Sequence, residues 1–405
     1  MSDDFTVRTL AEAVAGFRPG HVTTPQRVAV GAAAGLAAAR DVHSPRDLPG
    51  FTRSAVDGFA VRSADTRPAG DATPCLLEVV GAVRIGQESD RELAPGQAIE
   101  IPTGGAVPAG ADAIVMIEHT AAAAGGRVAL RRPASPGDNI VKPDDDVARG
   151  GLLIRAGRAV RPHDIGLLAS AGVTELEVHP MPSVAIVSTG DELVAAEQEP
   201  GAAEVRDANA PALAALVAEL GGAPVAMGIV PDDPAALEAV CRDALGRCDL
   251  LVISAGSSVG ARDATARVVA RLGAPGIWCH GLAIRPGRPT LLAEVMGRPL
   301  IGLPGNPVSA LVVMRLIGGR LIARLAGRER PSPQPVAAAT LDHAIASAAG
   351  RLDVVQVALQ GDVATPLFGK VARLSVLGRA DGYLLVPEAV TELPEGTRVE
   401  VELYR

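Results

Sequence analysis

The chain has 405 residues, 48% of them hydrophobic, and carries a formal net charge of −8. That length accommodates two to four domains and the apolar share supplies a sizeable core. The negative balance argues against a general binder of nucleic acid or of membrane surfaces, although local basic pockets can still hold anions. The opening MSDDFTVRTL is acidic and has no apolar run of the signal-peptide kind. The most apolar segment, Val308–Gly327, is interrupted by Arg315, Arg320 and Arg324, which argues against a membrane span. Cys75, Cys241, Cys248 and Cys279 form no CxxC pair and have no zinc-ligand spacing. The cytoplasm is the simplest compartment to expect.

Four segments follow one another. Residues 1–48 carry a helical pattern, with an alanine-rich helix expected over Val28–Arg40. Residues 49–145 hold short apolar runs (LLEVV, AIEI, AIVMI, RVAL) separated by glycine and proline, the signature of a β-rich module. Residues 146–178 return to helix with HDIGLLASAGV. The β module therefore reads as an insertion into a discontinuous unit, 1–48 plus 146–178, a helical linker domain.

Residues 179–329 alternate strand and helix, as a doubly wound α/β domain does. PSVAIVS is a strand. Asn209 and Pro211 open a helix closed by Gly221 and Gly222. VAMGIV is a strand, and Asp233-Pro234 caps and starts a helix running to Cys248. LLVISAG is a strand, followed by a helix over Asp263–Leu272. GIWCHGLAI, TLLAEV and PLIGL are strands, and a helix over Val308–Leu316 begins after the corner Pro304-Gly305-Asn306-Pro307. Proline at 331, 333 and 335 marks a linker, and residues 330–405 read as a small β-barrel.

In such sheets ligands sit outside the carboxyl ends of the strands. Three strand exits carry polar clusters: STGDE (Ser188, Thr189, Gly190, Asp191, Glu192), SAGSSVGARD (Ser254 to Asp263, with Gly256 and Ser258) and PGNP. The last combines a glycine with an asparagine at an N-cap position and a proline at the first helical one, a rigid corner suited to an anion. Arg285 and Arg288 flank a Pro-Gly turn that can aim two guanidiniums at phosphate or, alternatively, form a solvated hairpin tip. Glu192 and Asp263 beside phosphate-binding groups suggest a divalent metal. Asp232 and Asp233 are both accounted for by a helix start. In the β module, RSAVDGFA reads as a turn at Asp57-Gly58, and IPTGGAVPAGAD as loop punctuation around Thr103. Pattern alone gives neither a catalytic role.

Together these strings resemble the molybdopterin molybdenumtransferase (MoeA) family, which is related to the E domain of gephyrin. SAVDGFAV is similar to its SAMDGYA motif. IPTGGAVPAGADAIVM, GDNIVKPDDDV, VSTGDEL, SVGARD, RPGRP and GLPGNPVSA match further blocks in the same order, over nearly the whole chain. The resemblance implies a homodimeric, Mg²⁺-dependent enzyme that accepts molybdopterin adenylate and molybdate and releases AMP, with the active site between subunits. A molybdopterin adenylyltransferase is a candidate partner; no nucleic acid or membrane is implied. It assigns catalysis and metal binding to Asp57, Glu192 and Asp263. It carries Thr103, Asp232, Pro304 and Pro307 to substrate binding, and the strand exits and the Pro-Gly turn add Ser188, Thr189, Gly190, Ser254, Gly256, Ser258, Gly305, Asn306, Arg285 and Arg288 as candidates.

The chain departs from the family pattern in places. Val56 and Phe59 stand for Met and Tyr, and Ala255 for a glycine. Arginines stand for the KPGKP lysines, in a chain whose only lysines are Lys142 and Lys370. GKVARLS lacks a GSG-like run. A non-catalytic scaffold and a generic nucleotide-binding enzyme are the rival readings. A scaffold would be free to lose Asp57 or Glu192. A generic nucleotide enzyme leaves the SAVDGF module unexplained and lacks GxGxxG after the first strand.

Overall fold

The computed structural model describes residues 6–255, 259–331, 333–368 and 374–404, with backbone alone over 259–263. Its largest domain is built on a six-stranded sheet. We label the strands β1 (Ser183–Thr189), β2 (Ala223–Val230), β3 (Leu250–Ala255), β4 (Pro275–His280), β5 (Leu291–Val295) and β6 (Arg298–Pro304). Its helices are α1 (Asn209–Glu219), α2 (Pro234–Arg247), α3 (Val259–Arg271) and α4 (Pro307–Val313). The spatial order is β2-β1-β3-β6-β5-β4. The first four strands are parallel, whereas β5 runs antiparallel to both β6 and β4.

Parallel strands covered on both faces must be apolar throughout, and β1 is buried from Val184 to Thr189. Its side chains alternate between two cores, as a pleated strand requires. Val184 and Ile186 join Leu213, Leu216 and Val217 of α1 on one face. Ala185 and Val187 join Leu237 and Cys241 of α2, with Val268 and Val269 of α3, on the other.

The Leu10–Gly16 helix, closed at its start by a Thr9/Glu12 capping box, belongs to the first of these cores through Ala13 and Phe17. A Cβ on Gly16 would lie 2.8 Å from the Trp278 ring. Its apolar face is thus covered within the chain.

The rest of the linker differs from its expected helical form. Val28–Arg40 makes no α-helix: Gln26–Ala29 and Ala37–Ala38 are strands flanking Glu175–His179, with a 3₁₀ turn at Val30–Ala32. Alanine's helix propensity is outweighed here. Val28 pairs with Leu176, Gly35 turns the chain at φ +78°, and Ala33, Ala37 and Ala38 are wholly buried. Pro162–Ser170 is a helix.

The inserted module is a six-stranded curled sheet in the order Ala113–Met116, Gly58–Val61, Gln97–Ile101, Cys75–Ala82, Arg127–Leu130, Thr120–Ala123. It has its own cores, one around Val61, Leu77, Val115 and Leu130 and one around Ile99, Ile101 and Ile114. The C-terminal strands close a five-membered barrel, because Leu352–Gln360 pairs with both Val363–Pro366 and Gly382–Val386. Ile284–Arg285 adds to its edge beside Leu352–Asp353, tying barrel to α/β domain. Beyond α4, the expected single helix to Leu316 passes through a π-turn, Met314–Gly318, and continues as α-helix over Gly319–Leu325. No helix among the described residues is long and apolar enough to cross a membrane.

A candidate ligand cleft at the strand exits

Register places the exits. Thr189 of β1 is level with Ala255 of β3, and Ala255 with Pro304 of β6. Thr189 is also level with Val230, the last residue of β2. Four neighbouring parallel strands therefore end on one line, and the residue after three of them is glycine (Gly190, Gly256, Gly305). The exits open on a cleft of about 290 Å³ whose lining includes Thr189, Glu192, Asn209, Ser254, Gly305 and Asn306.

Each wall has a local cause. Asn306 caps α4, its Oδ1 accepting from the N–H groups of Val308 (3.1 Å) and Ser309 (3.3 Å), with Pro307 at the first helical position. Thr189 donates its hydroxyl to Asp232 Oδ1 at 3.0 Å, and the Asp232 N–H donates to Asp191 Oδ1 at 3.0 Å. The two neighbouring aspartates thereby separate in role: Asp233 caps α2, and Asp232 accepts from Thr189 of the cleft wall. Glu192 is exposed, and its carboxylate folds back over Gly190, where a Cβ would come within 2.6 Å of Oε2. Its oxygens accept from none of the described residues.

Asp207 and Asn209 are the site residues that sequence reasoning passed over. Asn209 was expected to open α1, and it is the helix's first residue. The capping side chain is Asp207, whose Oδ1 accepts from the N–H groups of Asn209 (2.9 Å) and Ala210 (3.1 Å). Freed from capping, the buried Asn209 side chain donates through Nδ2 to Ser254 Oγ (2.7 Å) and to the Gly305 carbonyl (2.9 Å). Asp-Ala-Asn at a helix start offers two capping side chains where one suffices. That surplus is the signal from which Asn209 could have been singled out.

Ser188 is buried in β1, and its hydroxyl pairs with none of the described residues. Ala255 ends β3 in extended pairing and has no positive φ, so alanine fits this position without strain. Gly256 and Ser258 lie outside the described residues, as do Gly369–Arg373 of the GKVARLS segment. Asp263 is placed in α3 by its backbone only.

Arg285 and Arg288 do not line the cleft. Their turn packs on α4, where a Cβ on Gly287 would approach Val313 and the Ser309 carbonyl. The Arg285 guanidinium lies 3.9 Å from Asp353 of the barrel.

The module presents a second polar group. Ser54 N–H donates to the Gly105 carbonyl (2.9 Å) and Gly104 N–H to the Ser54 carbonyl (2.8 Å). This docks the IPTGG turn on the RSAVDGF segment, two strings the sequence leaves separate. Thr103 then donates its N–H (2.7 Å) and its hydroxyl (2.9 Å) to Asp57 Oδ1. Asp57 is exposed, and these two donors, the backbone one foremost, hold its carboxyl below the ordinary aspartate value. Gly58 is no mere turn residue. It begins the Gly58–Val61 strand so close to its neighbour that a Cβ would overlap the Val115 carbonyl oxygen and lie 2.9 Å from its carbon.

The α/β fold and its strand-exit cleft define a ligand-binding domain of the doubly wound class, here with an inserted β module and a C-terminal barrel. The model of the MoeA N-terminal region (domain I and II) matches residues 7–172. A probable molybdopterin binding domain matches 185–324, and the MoeA C-terminal region (domain IV) matches 338–404. Molybdopterin molybdenumtransferase 2 of Mycobacterium tuberculosis is 34% identical over 401 residues, 97% of each chain. Molybdopterin molybdenumtransferase of Bacillus subtilis is 34% identical over 91% of this chain and 87% of its own. The solved molybdopterin biosynthesis MoeA protein of Pyrococcus horikoshii superposes with a TM-score of 0.83 at 35% identity, covering 98% of this chain and 99% of that one. The chain belongs to the MoeA family.

Proposed function

We propose that this protein is a molybdopterin molybdenumtransferase. It accepts molybdopterin adenylate and molybdate, places the molybdenum at the dithiolene sulfurs and releases AMP. The observation that carries the reading is the level register of three strand exits around one polar cleft, in a chain whose full-length relatives bear that name. Releasing AMP breaks a phosphoanhydride: an oxygen of water or molybdate bonds to phosphorus, and the displaced phosphate oxygen carries away the electron pair. The chain's task is to hold the phosphates and orient that oxygen. Ser254 and the rigid Gly305–Pro307 corner suit the first role, and Asp57 the second.

The cleft's own charge supports a divalent cation. Glu192 and Asp207 line it, Asp232 accepts from its Thr189 and is itself bonded to Asp191, and Arg206, already paired with Glu199, is the one basic side chain in its lining among the described residues. A phosphate entering such a rim is repelled unless a cation intervenes. Hard carboxylate oxygens fit Mg²⁺, which typically uses one or two carboxylates plus phosphate oxygens and water. Glu192 and Asp263, with Asp57, are the residues we assign to it; when bound it would neutralise phosphate charge.

Asp57 sits in a module with its own core, and among the described residues its carboxylate accepts hydrogen bonds only from Thr103. We place it opposite the α/β cleft of a second copy, in a homodimer acting in the cytoplasm, where an adenylyltransferase is the natural supplier of the adenylate. Incubation with molybdopterin adenylate, Mg²⁺ and molybdate should release AMP, and chelation should stop it. No AMP and no molybdenum incorporation would reject the reading. A monomer at micromolar concentration in sedimentation would reject the shared site.

A further inference from the structure

We propose that Asn209 is a positioning residue that sets the hydrogen-bond polarity of the cleft floor, turning the Ser254 hydroxyl and the Gly305–Asn306 peptide into donors for a ligand phosphate. The inference rests on the adenylate reading of the same cleft. The orientation of the amide is fixed by chemistry: the Gly305 carbonyl can only accept, so the group 2.9 Å from it is Nδ2. The same Nδ2 lies 2.7 Å from Ser254 Oγ. A hydroxyl whose lone pair is engaged by an amide donor directs its own proton elsewhere, and Ser254 lines the cleft.

Holding the Gly305 carbonyl has a second effect. A trans peptide sets C=O and N–H in opposite directions, so the Asn306 N–H faces away from Asn209. One buried amide, 8% exposed, thereby removes an acceptor from an anion's reach and keeps donors available to it. Asp207 makes this arrangement possible by taking over the capping of α1.

Asparagine is specifically required. An aspartate of equal size would accept the Ser254 proton, reversing that hydroxyl, and would face the Gly305 carbonyl oxygen with no donor between them. The test is calorimetric titration of AMP into the full-length protein and its variants, with thermal melts to check folding. Asn209→Asp is expected to weaken AMP by roughly tenfold to a hundredfold, the scale of losing hydrogen bonds to a charged group. Ser254→Ala is expected to weaken it about tenfold, and Ser254→Thr, which keeps the hydroxyl, to restore most of that.

The decisive measurement is the pair of alanine variants, which survives any folding defect peculiar to Asn209→Asp. In a Ser254→Ala background, adding Asn209→Ala should cost clearly less than it does in wild type, because part of its action runs through the missing hydroxyl. Fully additive losses, or AMP affinity unchanged in Asn209→Asp, would overturn the assignment while leaving the adenylate reading intact. Wild type that binds neither AMP nor molybdopterin adenylate would instead overturn that reading, and this one with it.

Discussion

The cleft of the α/β domain and the Asp57–Thr103 pair of the inserted module are built on opposite principles. The cleft is a long-range object. Thr189, Ser254, Gly305 and Asn209 come from four separate elements and meet because three strands are in level register. Its central groups are buried, so they are held by packing from both faces. The module's pair is exposed and held by one tight docking of two loops, with a glycine making room behind it. A buried, multi-element site is pre-organised by the whole domain, whereas an exposed pair depends on a few backbone hydrogen bonds. A small local change should therefore disable the module's pair more readily than the cleft.

The largest expected effect is at Asp57. Asp57→Asn keeps size and Thr103's donors but loses the charge. Turnover should fall by roughly a hundredfold or more, the scale of positioning and acid–base groups, while substrate binding persists. Mixing it with Glu192→Gln should restore activity, since a mixed dimer holds one site with neither lesion. Exchanged heterodimers that stay inactive would place both residues in one chain's site and break the contrast between a cis cleft and a trans pair.

Gly58→Ala should come next. The new methyl meets the Val115 carbonyl on a paired strand that cannot retreat without losing its ladder. A loss of about 2–3 kcal/mol is expected in denaturant melts, with the Asp57–Thr103 contact disturbed. An unchanged melt would mean that the module tolerates a register adjustment there.

Asn306→Ala should be milder. It removes the cap of α4 and should cost about 1 kcal/mol, because the corner retains Pro304 and Pro307. A loss several times larger would show that the corner depends on its cap more than on the sheet.

The smallest effect is electrostatic. Thr103→Val deletes the lesser of the two donors that lower the Asp57 carboxyl and keeps the backbone one. Asp57 should titrate higher than in wild type yet still below its ordinary 3.8. The sign follows from linkage. The depressed folded value contributes stability that is present above the unfolded value and lost as pH falls through the folded one. The variant should therefore lose that contribution at slightly higher pH, visible in a carboxyl NMR titration. An unmoved titration would leave the backbone donor as the sole cause.

The sequence was most legible where local chemistry is self-sufficient. Asp233-Pro234 and Asn306-Pro307 cap their helices as their residue types require. The buried strands of the α/β domain follow from continuous apolar runs bounded by glycine. The alanine-rich Val28–Arg40 segment misled, because alanine suits a helix and a closely packed small sheet alike, and only the Glu175–His179 strand, far along the chain, decides between them.

By itself, then, the sequence determined the α/β alternation, the strand exits, the rigid corner and the family resemblance, since these depend on residue type and near neighbours. Tertiary structure alone decided that RSAVDGF and IPTGG form one unit, that the Leu10–Gly16 helix joins the α/β core, and that Asn209 faces Ser254 and Gly305 while Asp207 caps the helix. Each of these turns on which of several chemically equivalent partners is brought within about 3 Å, and strand register and packing settle that over distances no local pattern spans.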